Sequence, residues 1–135
     1  MPGYVILEHD WPTRHWDFML EIGDTLETWR LPTPPAANVK ISAEKTFDHR
    51  LMYLDYEGPV SAGRGSVARW DAGSYELIVE ESGSADQKSR ARSKRDAIDR
   101  RVIQLAGKRL EGMLEMTYQQ ATDWTFRFFT RERRH

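Results

Sequence analysis

The chain contains no cysteine. Disulfides, thiolate metal sites and a cysteine nucleophile are therefore excluded, and a reducing compartment is compatible with the composition. No apolar run approaches the roughly 18 residues that a membrane-spanning helix needs. The opening residues, MPGYVILEHD, lack the basic stretch that begins a signal peptide. These absences predict a cytoplasmic protein that makes no use of a membrane. Histidine is scarce: only His9, His15, His49 and His135 occur, and the last of these closes the chain. Net charge is small as well, at −1 over 135 residues, so total charge selects no partner.

What is present fits one β-rich domain over 1–135. Five Trp, five Tyr and five Phe suit strands and argue against disorder. Charge is unevenly spread. Residues 1–57 hold ten Asp/Glu against five Lys/Arg, whereas residues 84–101 hold seven Lys/Arg against three Asp. The stretch from Arg127 to Arg134 adds four Arg against one Glu. An acidic half beside basic segments suits a phosphate-bearing polymer, although a solvated helix and a basic tail give the same pattern.

Tyr4 to Glu8 reads as a short strand that ends at His9. Pro12 makes the next residues a loop. Trp16 to Ile22 alternates strictly. Trp16, Phe18, Leu20 and Ile22 face a core, and His15, Asp17, Met19 and Glu21 face away from it. Gly23-Asp24 predicts a hairpin turn, with Thr25 to Leu31 as the return strand. Three prolines between Pro32 and Pro35 stop the sheet, and Ala36 to Phe47 reads as a loop. His49 to Glu57 alternates again and predicts a strand with His49 and Tyr53 on one face. Ser66 to Trp70 and Ser74 to Val79 read as two strands separated by Gly73. Ala85 to Arg101, polar and free of Gly and Pro, predicts a solvent-facing helix. Val102 to Leu105, Arg109 to Tyr118 and Asp123 to Thr130 close the fold as strands. The sum is a compact antiparallel barrel of about eight strands with one helical insertion.

Two imidazoles and a carboxylate at one place make a usual site for a first-row divalent metal. His9, Asp17 and His49 are such a set if the fold brings them together. Singly, each has an ordinary alternative: a satisfied polar residue, an exposed carboxylate or a surface aromatic. The spacings H-x5-H-x-D and H-x3-Y are not metal signatures in themselves.

Together, EHDWPTRHWDFMLE, ETWRLP, FDHRLMYLDYEG, GSVARWDAGSYE and LAGKRLEGML occur in order from about Tyr4 to about Thr130. They resemble the phosphoesterase domain found at the N-terminus of bacterial DNA ligase D and as a stand-alone protein. The resemblance implies a β-barrel and a manganese site that acts on 3′ ends of nucleic acid in DNA repair. The implied substrates are a 3′ phosphate or a 3′-terminal ribonucleotide on DNA. With no ligase or polymerase module in the sequence, a separate ligase or polymerase is the implied partner. Carried over by position, the metal ligands are His9, Asp17 and His49. His15 and Tyr53 fall on catalytic residues near the scissile phosphate. The metal is expected to be Mn2+, with Zn2+ or Co2+ also compatible with His/Asp ligands.

The chain departs from the family pattern at Met19, where an arginine grips the phosphate. Methionine offers no charged hydrogen bond there. Leu7 and Thr33 also stand where polar or basic residues are usual. Arg14 and Arg50 flank site residues but fall on the opposite faces by the period of two, so neither is expected to replace the missing cation. The alternative function is a catalytically weakened module that binds phosphate or nucleic-acid ends. A small β domain with incidental histidines is the third reading.

Overall fold

The computed structural model describes residues 1–82 and 97–133. Ten strands follow one another: β1 (Gly3–His9), β2 (His15–Ile22), β3 (Thr25–Leu31), β4 (Lys40–Lys45), β5 (His49–Arg50), β6 (Gly58–Pro59), β7 (Ser66–Ser82), β8 (Ile98–Gly107), β9 (Leu110–Gln120) and β10 (Asp123–Glu132). One 3-10 turn, Leu51–Leu54, follows β5. Neighbours run in the order β1-β2-β3-β4-β10-β9-β8-β7, and β1 also pairs with β7. That last pairing closes an antiparallel barrel of eight strands, as the strand count in the sequence predicts. Closure leaves no open edge among the eight.

The alternating pattern decides what enters the lumen. Tyr4 and Ile6 of β1, Trp16, Phe18 and Leu20 of β2, and Trp29 and Leu31 of β3 are buried there. Ile103, Leu105, Leu114, Met116, Phe126 and Phe128 meet them from the far wall. Phe18 sits edge-on to Phe126 at 5.4 Å, the geometry that ring quadrupoles favour. A buried ion pair, Glu27 to Arg101 at 2.6 Å, shares this interior with Trp29.

A second apolar cluster lies outside the lumen, and it positions the site. Val5, Leu7, Met19, Leu26 and Val67 point outward from the barrel wall. Leu51, Tyr53, Leu54, Tyr56 and Val60 cover them. The covering segment is stitched to the wall twice. His49 of β5 pairs with Leu26 of β3, and Gly58 of β6 pairs with Val67 of β7. The wall strands β1 and β2 are therefore buried on both faces.

Several local expectations change. His49 to Glu57 is not one strand: pairing stops after Arg50 and the chain turns into the 3-10 segment. Apolar residues at four successive places from Leu51 to Leu54 suit a cover laid over a wall better than a half-buried strand. Lys40–Lys45 is a strand where a loop is expected. Its alternation rests on Ile41 and Ala43 alone, and Trp124 and Phe126 of β10 lie opposite them. Gly73 is not a turn but lies within β7, where an added Cβ would collide with the Ala106 carbonyl oxygen. The helix expected over Ala85–Arg101 lies outside the described residues through residue 96, and its end, Ile98–Arg101, is strand β8.

Buried Asp71 joins three strands. Its carboxylate accepts hydrogen bonds from the Tyr4 hydroxyl and from the backbone N–H groups of Ala72, Arg109 and Leu110. It thus satisfies donors at the β8–β9 turn that no ladder reaches. Burial, then the Asp71 hydrogen bond, push the Tyr4 hydroxyl far above its ordinary pKa. Gly107 is required beside this node, because a Cβ there would strike the Tyr4 oxygen. Asp71→Ala leaves these donors without an acceptor and is expected to cost about 3 kcal/mol in urea denaturation. An unchanged midpoint would remove Asp71 from the forces that hold the barrel.

Candidate metal centre

The centre is built on the outer wall, between β1–β2–β3 and the covering segment. His9 is the last residue of β1 and pairs with His15, the first of β2. Asp17 follows two residues later, so it projects from the same face as His15. Outward-facing residues are ordinarily exposed, yet both are buried: His15 is 3% and Asp17 4% exposed. Ligand atoms of His9, His15 and Asp17 lie within 4.8 Å of one another. His9 and His15 rings meet at 4.9 Å between centroids.

Each histidine is held through one ring nitrogen by a backbone carbonyl. The Arg64 carbonyl accepts from His9 Nε2 at 2.7 Å, the Thr13 carbonyl from His15 Nδ1 at 2.9 Å, and the Phe47 carbonyl from His49 Nδ1 at 3.0 Å. A carbonyl only accepts, so the nitrogen that faces it carries the proton. In a neutral ring the other nitrogen is then a lone pair. For His9 that is Nδ1, 3.7 Å from Asp17 Oδ2, and for His15 it is Nε2, 3.3 Å from the same oxygen. Lone pairs converging on a buried carboxylate oxygen repel unless a proton or a cation stands among them. The donor set therefore fits a divalent ion with nitrogen and oxygen preference, and carbonyl-anchored imidazoles are what such ions use.

The electrostatics follow. Burial pushes the Asp17 carboxyl up, but hydrogen bonds with His15 and His9 outweigh it and hold the group at about 2. The Asp17 hydrogen bond raises His9 above its ordinary value, against opposing desolvation. Burial lowers His49, with the Asp17 charge acting the other way. His49 shares with His9 and Asp17 a cavity of about 400 Å³, but it is not among the three whose ligand atoms cluster. Both possible ligand sets contain His9 and Asp17, and His49 and His15 compete for the third place. Tyr53 lines the same cavity and stands edge-on to His49 at 5.7 Å. Met19 lines it too, although it is only 1% exposed. His135 lies outside the described residues.

Residues 7–118 match the family described as the DNA Ligase D 3'-phosphoesterase domain. The chain belongs to that family. It is 38% identical over 77 residues to the multifunctional non-homologous end joining protein LigD of Pseudomonas aeruginosa, covering 53% of this chain and 9% of that protein. It is 37% identical over 78 residues to the non-homologous end joining DNA repair protein LigD of Mycobacterium tuberculosis, covering 54% of this chain and 10% of that protein. To LigD of Mycolicibacterium smegmatis it is 26% identical over 130 residues, covering 90% of this chain and 16% of that protein. The chain spans less than a fifth of the length of these LigD relatives.

Sequence reasoning missed several residues that line the cavity, among them Arg30, Arg64, Trp11 and Phe47. It also put Arg50 on the wrong face, because β5 does not continue as a strand. Arg30 was within reach of a sequence argument. A two-residue turn at Gly23-Asp24 pairs Ile22 with Thr25, and counting back places Arg30 opposite Asp17. Gly65 gives no chemical signal but holds Arg64 in place. It sits at φ +73, and an added Cβ would collide with Asp10 Oδ1 and lie 2.7 Å from Trp11 Cβ.

The titrations test this geometry in metal-free protein. His9 should titrate above 6.5 and His49 below it. Asp17→Asn removes the charge that favours both imidazolium forms, so both values should fall. Histidine proton chemical shifts followed with pH measure this, and a His9 value that does not respond to Asp17→Asn contradicts the contact.

Proposed function

We propose that this chain is a divalent-metal phosphoesterase that processes 3′ ends of nucleic acid in DNA repair by end joining. The observation that carries the reading is the set of backbone-anchored imidazoles turned toward one buried carboxylate in an open cavity. The substrate is a 3′ phosphate or a 3′-terminal ribonucleotide on DNA, and the partner is a ligase or polymerase that uses the cleaned end. His9, Asp17 and His49 hold the ion, Mn2+ in the first instance. A divalent ion bound there supplies Lewis-acid polarisation of a phosphoryl oxygen and a bound water of lowered pKa.

The chain's own residues do the rest. His15 is fixed through Nδ1 by Thr13 and, when protonated, donates from Nε2 to a phosphate oxygen. Tyr53 adds a neutral hydroxyl from the covering segment. The Arg64 and Phe47 carbonyls keep His9 and His49 in one tautomer. Arg14 is engaged elsewhere, with Glu8 at 2.9 Å.

A weakened binding module is the second reading. Met19 favours it: packed in the outer apolar cluster, it contributes no charge to the cavity. Turnover separates the two. Manganese should raise the melting temperature of the native protein but not of Asp17→Ala. A primer bearing a 3′ phosphate or a 3′ ribonucleotide should be processed, and Asp17→Ala should lose about 10³-fold or more. No processing above the Asp17→Ala level on either primer would end the enzyme reading. His49→Ala is expected to lose the manganese shift, and His15→Ala to keep it while losing turnover. The reverse outcome would place His15 in the ligand set instead of His49.

A further inference from the structure

Arg30 and Asp17 are direct partners across the β2–β3 hairpin, and both line the same cavity. Opposite charges in that register ordinarily close into an ion pair. Here they stay apart. The Asp17 carboxylate meets His9 and His15, and among the described residues Arg30 makes no ion pair. Its Nε is buried with no acceptor. A guanidinium cannot escape this by losing its proton, so a buried N–H without a partner remains a standing cost. Its strand partner on the other side, Glu44, is solvent-exposed and leaves it unpaired.

The other cations of the cavity are placed differently. Arg64 donates from Nε and Nη2 to Ser61. Arg50 is solvent-exposed. The outward position beside Asp17 on β2 is Met19, which is apolar. Arg30 is therefore a half-buried cation of this cavity whose buried Nε has a donor to spare, across the hairpin from Asp17.

We infer that Arg30 is the anion subsite of the centre, holding a non-bridging oxygen of a phosphate group beside Asp17. A planar guanidinium matches two phosphate oxygens at once, and the burial of Nε strengthens the hydrogen bond it donates. On the phosphoesterase reading above, on which the nature of the phosphate rests, Arg30 on β3 supplies the grip that Met19 on β2 does not. The contact between Arg30 and an anion does not depend on turnover.

Calorimetric titration of inorganic phosphate into manganese-loaded protein tests this. Arg30→Gln should weaken phosphate binding about tenfold or more, and Arg30→Lys less, because lysine keeps the charge and loses the fork. Manganese affinity, measured in parallel, should stay the same in both variants. Turnover of the 3′-phosphate primer should fall about 100-fold in Arg30→Gln. If that variant does not fold, Arg30→Lys carries the comparison. Phosphate binding equal to native protein overturns the subsite, as does an equal loss of manganese binding, which would mark Arg30 as scaffold. Native protein that binds phosphate through Arg30 but turns over no primer keeps the subsite and removes the phosphoesterase. Native protein that processes the primer, at a rate that Arg30→Gln matches, removes the subsite alone.

Discussion

The structure around the site depends on one unfavourable fact, a carboxylate buried on the outside of a barrel. Asp17 faces away from the lumen, where water would normally hydrate it, yet it is only 4% exposed. A desolvated carboxylate must be met by positive charge or by hydrogen-bond donors. The chain meets it with imidazoles rather than with the arginine directly across the hairpin. That choice sets the character of the place. An Arg–Asp pair would be finished and inert, whereas an imidazole meets the carboxylate through a proton that a cation can replace.

The two apolar clusters divide the work. The lumen, with its interlocking rings and the Asp71 node, gives the wall its shape. The outer cluster brings the covering segment down and with it His49, Tyr53 and the Arg64 carbonyl. Three of the centre's groups thus come from the wall, His9, His15 and Asp17, and the others come from a segment tethered at β5 and β6. Both parts line the one cavity, so the order of the cover and the geometry of the candidate centre are linked.

Much of this was legible in the residues. The strict alternation from Trp16 to Ile22 fixes which side chains of β2 enter the lumen, and so fixes the outward set His15, Asp17 and Met19. The Gly23-Asp24 turn fixes the β2–β3 register. The covering segment was not legible, because a run that alternates for a few residues can equally be a strand or an irregular cover. Only the wall beneath it decides. β4 was missed for the opposite reason: two modest apolar residues on a polar strand gain their burial from β10, more than 80 residues away in the chain. The lowered pKa of Asp17, by contrast, had a local signature, because His15 and His9, whose hydrogen bonds outweigh its burial, stand close by in the same stretch of sequence.

Placing the candidate centre on the outside of a barrel wall, and not at its mouth, separates the demands of packing from those of a binding site. The lumen is packed without regard to any ligand, because nothing has to pass through it. Its rings can drift by substitution while the outward residues of the same strands stay fixed, since adjacent positions on a strand answer to different surroundings. One strand, β2, thereby carries two independent texts in alternate letters, one read by the interior and the other by whatever docks on the wall.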